Sequence, residues 1–183
     1  AKEPELRTAK LERYKKEYEL PDYDAQIITG SKHMADIFEE TTAICKKPKK
    51  VSNWLMGETL RLLKEHEKEP EDIAFSAENL AKLIELVDGG VINGNVAKEV
   101  FEQIFDRNID PEKYVEEKGL KTVNDEGALR ETIEQIVADN PKSVEDYHNG
   151  KEKAIGFLVG QTMKAMKGKA DPGMVNKILK EIL

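Results

Sequence analysis

The chain has 183 residues, 36% of them charged and 6% aromatic, with seven prolines and twelve glycines, a balance that suits one or two small domains of amphipathic helices and argues against a sheet protein. A net charge of −7 argues against a general polyanion binder, and no apolar run approaches the roughly 20 residues that span a bilayer. The single cysteine, Cys45, cannot close an internal disulfide, so a reducing, cytoplasmic setting is expected.

In chain order, Glu5–Glu19 carries Leu6, Leu11, Tyr14 and Tyr18 at helical spacing and stops before Pro21. This helix pattern opens almost at Ala1 with no methionine or signal peptide, so a piece of a longer protein is expected. Asp22–Gly30 reads as a turn-rich stretch leading to Ser31, the N-cap of a helix that ends near Lys47, on which Met34, Ile37, Phe38 and Ile44 recur at a spacing close to 3.6, as an apolar face would. Pro48 opens a helix through Val51, Trp54, Leu55, Leu62 and Leu63, which frays in the charged run Lys64–Glu69. After Pro70, Ser76 caps a helix with Leu80, Leu83, Ile84 and Val87 inward, closed by Gly89-Gly90.

Asn93 or Asn95 caps the next helix, with Val96, Val100, Ile104 and Phe105 inward. Asp110-Pro111, Asn140-Pro141 and Asp171-Pro172 each join a capping side chain to a proline at the first helical position, where the missing N–H costs nothing. A helix with Leu129, Ile133, Ile136 and Val137 lies between, and Ile155–Met166 and Val175–Leu183 are the last two. No alternating strand pattern, low-complexity tract or strong internal repeat is present. The fold class is all-α and multihelical, with two or three small helical subdomains in tandem.

Residues 141–183 carry a balance of +3 and residues 1–140 a balance of −10, an acidic body with a basic end that points to a local anionic partner. Reactive constellations are absent. His33, His66 and His148 have no metal-ligand spacing, Cys45 follows an apolar stripe without a histidine partner, and no phosphate loop follows a strand. Acidic pairs such as Glu39-Glu40 sit on charged helices where a solvated face is the default. No catalytic residue is assigned.

One segment stands apart. Glycine inside a helix costs about 1 kcal/mol against alanine, so Gly156 and Gly160 require a reason. Four apart, they share a face, and Lys153, Lys164 and Lys167 continue it at steps of three and four. Close packing between two helices is the commoner use of such a stripe; contact with a sugar–phosphate backbone is the other. Gly168 ends this helix, and the N–H groups at the start of the next, after Asp171-Pro172, offer a second anion-attracting feature.

Gly150-Lys-Glu-Lys-Ala-Ile-Gly-Phe-Leu-Val-Gly-Gln-Thr-Met-Lys164, with Lys167-Gly-Lys-Ala-Asp-Pro172 and Val175-Asn176, resembles the C-terminal signature of the GatB/YqeY family, found at the end of aspartyl/glutamyl-tRNA amidotransferase B subunits. Leu20-Pro-Asp-Tyr-Asp-Ala25, Val51-Ser-Asn-Trp-Leu-Met-Gly-Glu58 and Asn140-Pro141 resemble other stations of the same protein in the same order. The resemblance covers essentially the whole chain. It implies a leader helix over 1–21, a helical domain over 22–72 and a tail domain over 73–183, with a possible subdivision near 121.

The resemblance further implies a glutamine-dependent, ATP-consuming ligase that amidates Glu-tRNA(Gln) or Asp-tRNA(Asn), with ATP and magnesium in a cradle domain outside this chain. No cofactor is expected in the chain itself. The partners implied are tRNA(Gln) and/or tRNA(Asn), and the A and C subunits through the full-length B subunit. In that setting Lys151, Lys153, Lys164, Lys167 and Lys169 are expected to meet phosphates. Gly156 and Gly160 would permit close approach, and Gln161 and Asn176 would donate to ribose or base edges. Asp171 stands where asparagine is the more usual family residue, equivalent as a cap but unhelpful facing RNA. Phe157, Leu158, Met163 and Val175 are read as core, and Trp54 as a packing anchor. The rival reading is a protein-interaction module; a weaker third is an enzyme domain with an unrecognised acidic cluster.

Overall fold

The computed structural model describes residues 4–123 and 126–183, so the first three residues of the expected leader lie outside the description. The described residues are helical, with one isolated bridge between Val123 and Ala170 and no strand. The all-α expectation holds. None of these helices is long and apolar enough to cross a membrane.

The chain forms two compact units, Ala1–Gly89 with Ala97–Lys118, and Gly90–Val96 with Gly119–Leu183. In the first, α1 (Arg7–Glu17) packs on α2 (Asp22–Thr29), and α2 packs on α3 (Lys32–Cys45). Tyr14 is fully buried, and its ring lies 5.0 Å from that of Phe38, centroid to centroid. Segment 22–29 is a helix where a turn-rich stretch is expected. Pro21 presets the entry, Asp22 and Asp24 stand favourably in the first turn, and Ala25, Ile28 and Thr29 are buried. At two turns it is too short for periodicity to declare itself.

Ser31 caps α3 as expected, its Oγ accepting from the Met34 N–H at 3.2 Å. Ile44 is a correction, 55% exposed rather than buried, because Thr41, Thr42 and Cys45 take the inward positions of the last turns. The next helix runs continuously from α4 (Pro48–Trp54) through a π-turn (Leu55–Thr59) into α5 (Leu60–Glu65). The hydroxyl of the fully buried Thr59 donates to the Trp54 carbonyl at 3.0 Å inside that turn. Ser76 caps α6 (Ala77–Asp88) by accepting from Asn79, and α6 lies along α3. Asn93, rather than Asn95, caps α7 (Gly94–Arg107), accepting from Val96 at 2.9 Å.

The three cap-proline pairs behave differently. Asp110 accepts from the Glu112 N–H at 3.0 Å at the start of α8 (Pro111–Lys118), and Asp171 accepts from Gly173 at 3.0 Å at the start of α12 (Pro172–Ile182). Asn140 instead turns back, donating to the Ile136 carbonyl at 2.8 Å, so it closes α9 (Glu126–Asp139) and leaves α10 (Pro141–His148) without a side-chain cap.

Asp110 also meets Lys82 at 3.0 Å, and this contact, with the two backbone N–H groups it accepts from, holds its carboxyl below the usual carboxylate range. The folded chain therefore keeps Asp110 ionised to lower pH than the unfolded chain does. Its contribution is full above the ordinary carboxylate pKa and is lost as pH falls through the lowered value. Asp110→Ala is expected to destabilise the chain by about 1.5 kcal/mol at pH 7, as loss of a cap and a partly exposed ion pair. Asp110→Asn, which can still cap, should cost about 0.5 kcal/mol at neutral pH, a difference that closes at an acid pH below the lowered Asp110 value. Thermal melts at both pH values measure this, and a deficit that persisted in acid would contradict it.

The second unit centres on α9, α10, α11 (Lys153–Ala165) and α12. Leu129 and Ile133 of α9, Leu158 of α11, and Val175, Ile178 and Leu179 of α12 form its buried core with Ala170. The segment leaving α11's far end is tied down on both sides. Asn93 donates to the Gly168 carbonyl and, at 3.3 Å, to that of Ala170, while the Val123 N–H donates to the Lys169 carbonyl at 3.0 Å.

Candidate functional site

Helix α11 buries Leu158 and Thr162, which fixes its rotation. Directly opposite on a 3.6-residue helix lie Lys153, Gly156, Gly160 and Lys164, all exposed. A Cβ built on Gly156 or Gly160 would meet nothing within 4 Å. Among the described residues, close packing, the commoner use of such a stripe, therefore does not account for either glycine. Lys153 and Lys164 are eleven residues apart, so the face is about 16 Å long at 1.5 Å per residue.

Phe157 is a correction. It is 49% exposed and stands on the outward face between the two glycines, because Leu158 takes the core position next to it. The signal was present in the sequence: Phe157 follows Lys153 by four and precedes Lys164 by seven, in step with the stripe. Leu158 and Val175 are buried as expected, and Met163 packs partly against the same core.

The end of α11 is set by a left-handed pair. Lys167 has φ +53° and Gly168 φ +74°, with Gly168 N–H donating to the Met163 carbonyl at 2.8 Å and Lys167 N–H to that of Lys164 at 3.1 Å. This is the Schellman pattern with a lysine, not the expected glycine, at its first left-handed position. A side chain that disfavours this backbone by about 1 kcal/mol thus projects, exposed, just past the stripe.

The remaining expected site residues are less well placed. Lys151 precedes the helix and pairs with Asp146 at 3.0 Å. Gln161 flanks the stripe, half-buried. Lys169 is half-buried in the segment held by Val123. Asn176 lies on α12, with its Oδ1 enclosed and without a hydrogen-bond partner, so its amide is not freely presented. The N-terminus of α12 offers less to an anion than expected, because the Asp171 carboxylate already occupies the Gly173 N–H. Lys153, Lys164 and Lys167, by contrast, form no ion pair among the described residues. Among those same residues no group of three His, Cys, Asp or Glu side chains is arranged to hold a metal ion.

A family model described as the GatB domain matches residues 36–183. The chain belongs to the GatB domain family. The B subunit of the aspartyl/glutamyl-tRNA(Asn/Gln) amidotransferase of Agathobacter rectalis is 66% identical over 183 residues, and that of Lachnoclostridium phytofermentans is 63% identical over 182. Its counterpart in Lachnospira eligens is 59% identical over 189 aligned residues. Each alignment takes in 100% of this chain, which spans only 38 to 39% of those relatives. The GatB domain match includes the whole stripe of α11 and the Val51–Glu58 station; Leu20–Ala25 lies before it.

Proposed function

We propose that this GatB domain chain is the RNA-holding part of an aminoacyl-tRNA amidotransferase B subunit. It grips misacylated tRNA(Gln) or tRNA(Asn) while ATP-dependent amidation proceeds in a part of the parent protein outside this chain. ATP and magnesium belong to that other part, and the A and C subunits meet the parent through the full-length B subunit. The observation that carries the reading is the bare, outward face of Gly156 and Gly160 between lysines that have no ion-pair partner among the described residues. Two glycines weaken α11 by about 2 kcal/mol, with no contact among the described residues to offset it. A surface arriving from outside and approaching the backbone closely would offset it, and the lysines select an anionic one. Structured RNA, recognised through shape, phosphates and 2′-hydroxyls, meets both requirements. Positioning a bound substrate can supply several kcal/mol to a reaction carried out elsewhere.

Exposed Phe157 also suits a protein helix packing on the same stripe, and salt separates the two. Titration of labelled tRNA at roughly 50 and 200 mM salt should show affinity falling roughly a hundredfold, as expected for three or four phosphate contacts. Salt-insensitive binding, or none, would favour the protein-interaction reading.

A further inference from the structure

The first unit displays a face built to the same pattern as α11. Lys153, Gly156, Phe157, Gly160 and Lys164 follow steps of three, one, three and four, and Lys50, Asn53, Trp54, Gly57 and Arg61 follow identical steps. In both, a cation is followed by a small or short polar residue, an aromatic ring, a glycine and a second cation. The second set lies on the continuous helix 48–65, whose opposite side is fixed by the buried Val51, Leu55 and Leu62. Asn53 and Gly57 are exposed, and a Cβ on Gly57 would meet nothing within 4 Å. The family motif Val51–Glu58 thus places Asn53 and Gly57 outward, where core packing does not require them, while its Ser52 is buried and donates to Asp24.

Trp54 packs inside this unit and also reaches its surface. Its ring rests against Phe101, 5.2 Å between centroids, yet it is only half-buried. It borders two surface grooves. One, of about 230 Å³, is lined by Asn53, Gly57, Glu58 and Lys98; the other, of about 190 Å³, by Lys50, Asn53, Ile84, Val87 and Asp88. The acidic groups here are already satisfied. Glu58 lies 2.7 Å from Arg61 and 4.0 Å from Lys98, and Asp88 is held by Lys47 and Lys50. Lys98 is left largely solvent-exposed beside the larger groove. A π-turn, a distortion common at functional sites, runs beneath Trp54, Gly57 and Glu58.

We propose that this face is a second RNA contact, in which an unpaired base stacks on Trp54. The proposal rests on the RNA-holding reading of the chain. The Asn53 amide faces the base edge, Gly57 permits close approach, and Lys98 meets the adjoining phosphate. An aromatic platform with short polar groups beside it is how proteins take splayed-out RNA bases. Lys98, mostly exposed beside the larger groove, favours a nucleic acid over an apolar protein helix, while Lys50 at the other groove is held by Asp88.

Trp54 is the chain's single tryptophan, so its emission reports on this site alone. Titrating the 183-residue chain with tRNA should quench that emission by at least about half, in step with binding followed through a label on the RNA. Inorganic polyphosphate of equal charge should leave it unchanged. Trp54→Leu should weaken tRNA binding about tenfold with helical circular dichroism retained, and Trp54→Tyr should restore most of the loss. Should tRNA bind without quenching, or polyphosphate quench equally, the base-stacking proposal is overturned while the α11 reading survives. Absence of tRNA binding altogether would remove both.

Discussion

Replacing Lys164 and Lys167 together by alanine is expected to weaken tRNA binding about 10- to 50-fold at moderate salt and to lower the slope of log affinity against log salt by about 2. The two side chains are exposed, make no ion pair among the described residues, and lie at the same end of the α11 stripe. Among the described residues their charge makes no ion pair, only the favourable place of Lys164 in the last turn of α11, so thermal stability should fall by no more than about 1 kcal/mol. Lys151, tied to Asp146 at 3.0 Å, serves as an internal control. Its replacement should cost less than about threefold, a surface pair being worth about 1 kcal/mol or less. Equal losses at Lys151 and at Lys164 would indicate a diffuse charge effect rather than a face. Lys167→Gly adds a further check. It should relieve the left-handed backbone by about 1 kcal/mol while still weakening RNA binding, so that stability and affinity move in opposite directions.

The larger contrast concerns the glycines. Gly156→Ala and Gly160→Ala are each expected to stabilise the chain by about 1 kcal/mol, because both positions are helical, exposed and open around the added Cβ. Had either glycine been packed against a neighbouring helix, the same change would destabilise by overpacking. Gly156→Leu with Gly160→Leu should also leave the fold intact but reduce tRNA affinity more than about tenfold, by holding the RNA backbone away from the helix. Urea melts and the labelled-tRNA titration, run on the same variants, give both readouts. A leucine pair that bound tRNA as well as the parent would remove the close-approach role assigned to the stripe.

Much of the helical layout was legible because its signals are local. Ser31, Ser76 and Asp110 are caps whose side chains reach an N–H two or three residues on, and proline marks the first turn in each case where it follows a capping residue. Asn140 shows the limit. Its sequence neighbourhood matches that of Asp171, yet its amide turns back to Ile136, a choice made by the preceding helix. Helix 22–29 escaped notice because eight residues give too little periodicity, and its formation rests on burying Ala25 and Ile28. The lysines and glycines of the candidate site were visible as a stripe. Whether that stripe faced the core or solvent was not.

That last question divides what the residues carry alone from what three dimensions add. Helical class, cap chemistry, the basic end and the family signature depend on types and spacings along the chain. The rotation of α11 does not, since both Phe157 and Leu158 are apolar enough for a core. Leu158 meets the buried side chains of α9 and α12, and Phe157 is turned outward beside the two glycines. The same holds for Trp54, apolar enough to be read as an anchor, which rests against Phe101 yet borders two surface grooves. Burial is a property of neighbours brought from distant positions, and in this chain it is burial that aims the lysine–glycine face at solvent.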